Sequence, residues 1–224
     1  SLPLKWSYWF LPFQSGFGGA PFDDQGRPTL DSPGTSEAVE WFLDLAREHD
    51  VVASGVSLEA MSTQFMLGKA AMVLDGPWNW NTYLDAGLDI SVALMPVVAE
   101  TGRRMRPVLS YFGWSVSKQS EHKVESAKLA LWLSDASIQK ENALATFRLP
   151  TDVGLASDPD VAGNPVLAGF LEQSAYPMTI PTTRASSMVF EQLDTALEMT
   201  YTGKMSAQEA LIAADAELEK RLNR

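Results

Sequence analysis

Apolar residues recur at helical spacing in several stretches of this chain. Between residues 35 and 50, Val39, Phe42, Leu43 and Ala46 fall on one face while Glu40, Asp44 and Arg47 lie away from it. That pattern predicts an amphipathic helix, and Asp31-Ser32-Pro33 supplies its start. A second helix is predicted over 57–67, with Met61 and Phe65 inward and Gly68 as its C-terminal cap. The period returns over 122–134, where Val124, Ala127, Ala130 and Leu131 share a stripe, and continues in helical style over 138–147 and 166–174. Two helices close the chain, 187–202 and 206–222, joined at Gly203. Ser206-Ala207-Gln208-Glu209 reads as a capping box, and Lys220, Arg221 and Arg224 complement the dipole of the last helix.

Shorter apolar runs predict strands between these helices. Residues 71–74 suit a buried strand that Gly76-Pro77 breaks. Ile90, Val92 and Leu94 alternate as a strand ending before Pro96, and Thr101-Gly102-Arg103 reads as a tight turn back into 105–110. Residues 112–117 either extend the same sheet region or leave it. Helices alternating with short strands predict an α/β fold, not a bundle or a sandwich. Residues 6–13 are aromatic-rich; Gly16, Gly18, Gly19 and then Asp23-Asp24-Gln25-Gly26 give a loop and a turn. The Asp-, Gly- and Pro-rich stretch 155–165 reads as irregular surface chain, and Pro177 and Pro181 bound an extended crossing. No internal repeat interrupts this order.

The strand predicted over 71–74 delivers Trp78 and Trp80 just past Gly-Pro, at the kind of strand end where open α/β sheets hold ligands. Indole faces are apolar plates that stack against the C–H face of a pyranose, whose hydroxyls turn to hydrogen-bonding groups. Tryptophan is also a common core residue. Trp78, bulky and just beyond the break, is poorly placed for strand packing, which favours the binding role. Trp80 either joins the platform or pins the following helix. Trp41 and Trp132, within predicted amphipathic helices, are expected to pack; Trp114 is expected in the core, with lining of a cleft floor as its other role. Asp75 is expected to cap the turn.

MVLDGPWNW (72–80), SYWFLPF (7–13) and YFGWSVSKQSEHKVESAKLALWLSD (111–135) resemble, in that order, the maltose-binding-like extracellular solute-binding proteins of ABC importers. The resemblance continues through LPTDVGLASDPDV (149–161) and SAQEALIAADAELEKRL (206–222). It implies a periplasmic-binding-protein fold of type II, with 1–110 and 177–224 in the C-terminal lobe and 111–176 belonging to the N-terminal lobe. A hinge near Ser110 and Gly113 follows from it. It further implies that Tyr8, Trp78 and Phe190 stack sugar rings, with Trp80 and Trp6 beside them and Arg184 as a clamp for hydroxyl or carboxylate. Packing against Met188 or Leu193 is the other role open to Phe190, and a solvated surface the other fate of Arg184. Trp6 stands where maltose binders of the family carry a carboxylate, which argues against strict maltose specificity. Family members begin with a signal peptide and a βα region; Ser1-Leu2 shows neither a basic n-region nor an apolar h-region, so a truncated chain is expected. The full-length parent would be periplasmic or extracytoplasmic, would work with importer membrane subunits, and would bind an oligosaccharide. A truncated chain that folds but binds no sugar is the alternative, and its exposed lobe surface would favour self-association.

Composition narrows the partners. A net charge of −11 argues against a nucleic-acid or anionic-membrane surface, which would need clustered Lys and Arg. No apolar run approaches the roughly 18 residues of a membrane span. Cysteine is absent, which removes disulfides and thiolate metal sites. His49 and His122 lie near helix ends among charges, a poor basis for a triad or a metal site. No phosphate loop, dinucleotide fingerprint or G-x-S-x-G occurs. Glycoside hydrolysis needs two carboxylates across a cleft, and only Asp75 is suggestively placed. A carbohydrate-active enzyme is thus the weaker alternative, and no cofactor is expected.

Overall fold

The computed structural model describes residues 2–53 and 55–222; the expected dipole contribution of Arg224 lies outside them. In chain order the α-helices are α1 (Ser7–Gly16), α2 (Pro33–Arg47), α3 (Leu58–Met66), α4 (Trp80–Asp85), α5 (Lys123–Leu133), α6 (Ala136–Thr146), α7 (Pro159–Ala162), α8 (Pro165–Ser174), α9 (Arg184–Tyr201) and α10 (Ala207–Leu222). Short 3-10 turns occupy Pro77–Asn79 and Val153–Ser157. None of the described helices is long and apolar enough to cross a membrane. The chain forms two compact units. Unit 1 comprises Ser1–Leu74, Met95–Leu109 and Tyr176–Arg224; unit 2 comprises Asp75–Leu94 and Ser110–Ala175.

In unit 1, α1, α2, α9 and α10 pack together around Phe10, Leu11, Leu30, Phe42, Leu43, Leu193, Leu197 and Leu211, all fully buried. The 35–50 periodicity therefore points the right way: Val39, Phe42 and Leu43 enter this core. Pro33 at the first turn and the Ser32 hydroxyl, which accepts the Thr35 N–H at 3.3 Å, start α2 as read. The helix then meets α1 at backbone range. A Cβ on Gly34 would lie 2.5 Å from the Phe17 carbonyl oxygen, and one on Gly19 would lie 2.6 Å from Thr35 Oγ1. Both positions require glycine for this approach. Trp41 packs against Phe13 and Phe17, the role expected of it.

Side chains fasten the long sequence separations. Asp194 of α9 accepts the Ser7 N–H at 2.6 Å at the start of α1. Glu40 of α2 accepts the Ala207 N–H at 3.3 Å at the start of α10. These are carboxylates on orphan helix-terminal donors, where the helix dipole also favours them. The capping box is present: Glu209 accepts the Ser206 N–H at 3.0 Å and donates its own N–H to the Ser206 hydroxyl. Arg221 makes a two-pronged pair with Glu191 at 2.9 and 3.0 Å, so it ties α10 to α9 besides sitting in the last turn.

Unit 2 has a smaller described core. Ala143, Val161 and Leu167 are buried, with Leu144, Phe147, Leu149 and Leu171 packed against them. Lys140 reaches Asp158 at 2.9 Å and Asp160 at 2.7 Å, clamping α6 to the start of α7. Both carboxylates hold the Lys140 ammonium proton more tightly than usual. α5 buries none of its residues. Its stripe is a correction: Val124 and Leu131 are exposed, and so are Trp132 and Trp114, which were expected to pack.

The predicted strands also require correction. Among the described residues the only β pairings are isolated bridges, Phe22 with Pro28, Val97 with Arg104, and Val108 with Met178. Residues 71–74 and 90–94 join no ladder. A strand depends on hydrogen bonds from a neighbour, and no described segment pairs with either run. The 101–103 turn does form, with Gly102 at φ 66° and Val98 N–H donating to Arg103 at 2.8 Å. The fold is thus helix-rich, with the sheet content of the α/β expectation reduced to single bridges. Residues 75–94, which the resemblance sets with 1–110, cluster instead with unit 2.

Candidate functional site

The turn over 75–80 is built around one carboxylate. Asp75 Oδ1 accepts the Gly76 N–H at 2.8 Å, and Oδ2 accepts Asn79 Nδ2 at 2.8 Å and the Tyr83 hydroxyl. Pro77 presets the backbone of the 3-10 turn that follows. These bonds make Asp75 the turn cap that its position predicts. Trp78 emerges from this turn 44% exposed. Its indole folds back over Gly76, so that a Cβ there would overlap Cε3, Cζ3 and Cη2 of the ring. The result is a partly exposed aromatic plate on a hydrogen-bonded base.

Trp80 has a different role. Only 7% exposed, it packs against Phe147 and Phe170 with ring centroids 6.3 and 6.0 Å away. Of the two roles its sequence leaves open, it takes the pinning one, since it seats the first turn of α4. Asn81 Nδ2 adds a bond to the Ala145 carbonyl at 3.0 Å. Sequence reasoning passed over Tyr83, whose ring is buried and whose hydroxyl reaches the turn cap. Its spacing of eight residues from Asp75 matches no local motif. The sequence marks Gly76 only as a strand breaker, although its missing side chain is what admits the indole.

The remaining ligand-binding candidates, Trp6, Tyr8, Phe190 and Arg184, lie in unit 1. Trp6 is the N-cap of α1 and 47% exposed. It lines an open pocket with Lys5, Asp194, Thr195, Glu198 and Met199. Lys5 pairs with Glu198 at 2.9 Å on its edge. Tyr8 is half-buried in the first turn of α1, its ring 5.2 Å from that of Trp9 in an edge-to-face arrangement. Phe190 is half-buried on α9 against the core, and its carbonyl accepts the Ser7 hydroxyl at 3.3 Å. Ser7 therefore brings Trp6, Tyr8 and Phe190 into one neighbourhood. Arg184 is exposed at the first residue of α9, away from that junction in sequence. Ser110 and Gly113 are exposed, and Ser110 is where the chain enters unit 2 from Leu109. His49 and His122 are exposed, and no group of three or more His, Asp or Glu among the described residues is arranged to hold a metal ion.

A solved maltose/maltodextrin-binding domain from Bdellovibrio bacteriovorus, bound to maltotriose, superposes with a TM-score of 0.91 at 24% identity, covering 98% of this chain and 58% of that one. A maltotriose-binding protein from Thermus thermophilus superposes with a TM-score of 0.84 at 20% identity, over 98% and 60% of the two chains. These likenesses establish the fold as that of maltodextrin-binding proteins. Among curated proteins, the maltotriose-binding protein of Pyrococcus abyssi is 28% identical over 182 residues, 77% of this chain and 39% of its own. The galactooligosaccharide-binding protein of Bacillus subtilis is 26% identical over 154 residues, 69% of this chain and 36% of its own. The chain thus spans well under half the length of either curated relative. The family described as bacterial extracellular solute-binding protein matches residues 3–169, most of the sequence, and the chain belongs to it.

Proposed function

We propose that this chain is the sugar-binding part of an ABC importer's solute-binding protein, with a neutral oligosaccharide as ligand. The observation that carries the reading is Trp78, a partly exposed indole held on a capped turn in a chain of this family. Both curated relatives named above are oligosaccharide binders, which supports the ligand class. Tyr8 and Phe190 in unit 1 and Trp78 in unit 2 would each offer a stacking face to a sugar ring, with Trp6 at the α1 terminus and Arg184 as a donor to hydroxyls. Trp80 supports the turn from beneath. In this reading 1–110 and 177–224 form the C-terminal lobe apart from 75–94, which cluster with unit 2, 111–176 belong to the N-terminal lobe, and Ser110 and Gly113 lie at the hinge. The mature protein would act outside the cytoplasmic membrane and deliver its cargo to importer membrane subunits.

Titration calorimetry with a panel of malto- and galacto-oligosaccharides tests this. Saturable binding of one class is expected, and Trp78→Ala should weaken it by about 1–3 kcal/mol, the range for removing an aromatic anchor. Absence of binding by the folded chain across the panel would replace the reading with that of a sugar-silent fragment. Binding that survives Trp78→Ala intact would remove Trp78 from the site.

A further inference from the structure

We infer that Asp75 and Tyr83 are positioning residues that fix the Trp78 plate in one orientation, an assignment that rests on the proposed sugar-binding role of Trp78. Three donors converge on a single carboxylate. The Gly76 N–H and Asn79 Nδ2 come from within the turn, and the Tyr83 hydroxyl comes from α4. The first two close the turn locally. The third ties it to a helix that is itself anchored, because Trp80 is buried against Phe147 and Phe170 and Asn81 bonds the α6 carbonyl of Ala145. The path from the α6 and α8 framework to the indole therefore runs through Tyr83, Asp75 and Gly76.

The last link is steric. Gly76 has φ −107°, a conformation open to any residue, so backbone strain does not demand glycine there. The ring of Trp78 does, since its benzo edge fills the space of the absent Cβ. One face of the indole is thus backed by the turn, and the carboxylate holds the turn in place. A partly exposed tryptophan without such backing would sample several rotamers and lose that freedom on each binding event. The clamp removes the loss in advance, which is the usual advantage of a preorganised site.

The test uses the 224-residue chain labelled with 5-fluorotryptophan, read by fluorine NMR without ligand and by calorimetry with maltotriose. Trp78→Phe assigns the Trp78 resonance. In Tyr83→Phe, which deletes one donor, and in Asp75→Asn, which sets an amide donor against Asn79 Nδ2, that resonance should shift and broaden while those of Trp80 and Trp132 stay in place. Gly76→Ala should move it furthest. Maltotriose affinity should fall about 2- to 10-fold in Tyr83→Phe, the span expected for re-ordering one side chain on binding. An unchanged Trp78 resonance in both Tyr83→Phe and Asp75→Asn overturns the inference, as does equal broadening of all three indoles, which would mark general loosening of unit 2. Full maltotriose affinity in Trp78→Ala would refute the sugar platform instead, and the ligand-free spectra would still decide whether Asp75 and Tyr83 set the ring.

Discussion

Asp215 of α10 accepts the Leu30 N–H at 3.2 Å from a partly buried position. Burial pushes its carboxyl above the usual value of 3.8, and Asp31 and Glu219 nearby push the same way, against the Leu30 bond. A raised folded value means that the native state binds the proton more tightly than the unfolded chain. Stability contributed by this group is therefore present below the ordinary carboxylate value and is lost as pH rises through the folded one. Asp215→Asn keeps an oxygen for Leu30 and removes the charge. It should melt higher than the parent at pH 7, and the gain should vanish as the pH approaches 4. Paired melts at the two pH values check this, and a variant that melts lower at pH 7 would refute it. Asp23, Glu191 and Asp158 carry the opposite sign: bonds from Arg27, Arg221 and Lys140 respectively hold their carboxyls below the usual range, so their contribution fades on acidification.

Between α1 and α2 runs a buried polar chain, in which Gln14 Nε2 donates to Thr35 Oγ1 at 2.9 Å and Thr35 Oγ1 lies 2.8 Å from the Ser32 hydroxyl. The Gln14 side chain is fully buried and its Oε1 has no hydrogen-bond partner among the described residues, so the Thr35 bond carries its satisfaction. Thr35→Val should cost roughly 1–3 kcal/mol in urea unfolding, the penalty for stranding a buried amide. The close approach at Gly19 and Gly34 leaves the helices no room to relax around it. A cost near zero would mean that water replaces the hydroxyl. Helices such as α2 and α10 are legible because their period and caps are local: Val39, Phe42 and Leu43, or Ser206 and Glu209, sit within a few residues of one another. Strands are less so, since 71–74 and 90–94 depend on partners elsewhere in the fold. Local pattern also hides α1, whose aromatic density and internal Pro12 mask the helical period. At the site, Trp78 and the Asp75 cap are legible from Gly-Pro punctuation, whereas the Tyr83 hydroxyl and the Gly76 notch arise only when α4 folds back on the turn.

For the whole molecule the deciding feature is the apolar surface of unit 2. Leu131 is 74% and Trp132 58% exposed on α5, and Tyr111, Phe112 and Trp114 are exposed before it. Where such side chains gather into one patch they mark a contact with another surface. A second copy is one such surface, and the net charge of −11 opposes that encounter. The two effects differ in range: apolar burial acts at contact, whereas repulsion acts over a Debye length of about 10 Å at 0.1 M salt and shrinks as salt rises. Self-association should therefore strengthen with ionic strength, opposite to an assembly held by ion pairs. Sedimentation velocity over a range of protein and salt concentrations measures it. Leu131→Glu with Trp132→Glu should restore the monomer at high salt, because both substitutions fall on exposed positions of a helix none of whose residues is fully buried. A chain that stays monomeric at every salt concentration would mean that the exposed rings are too dispersed to form one contact.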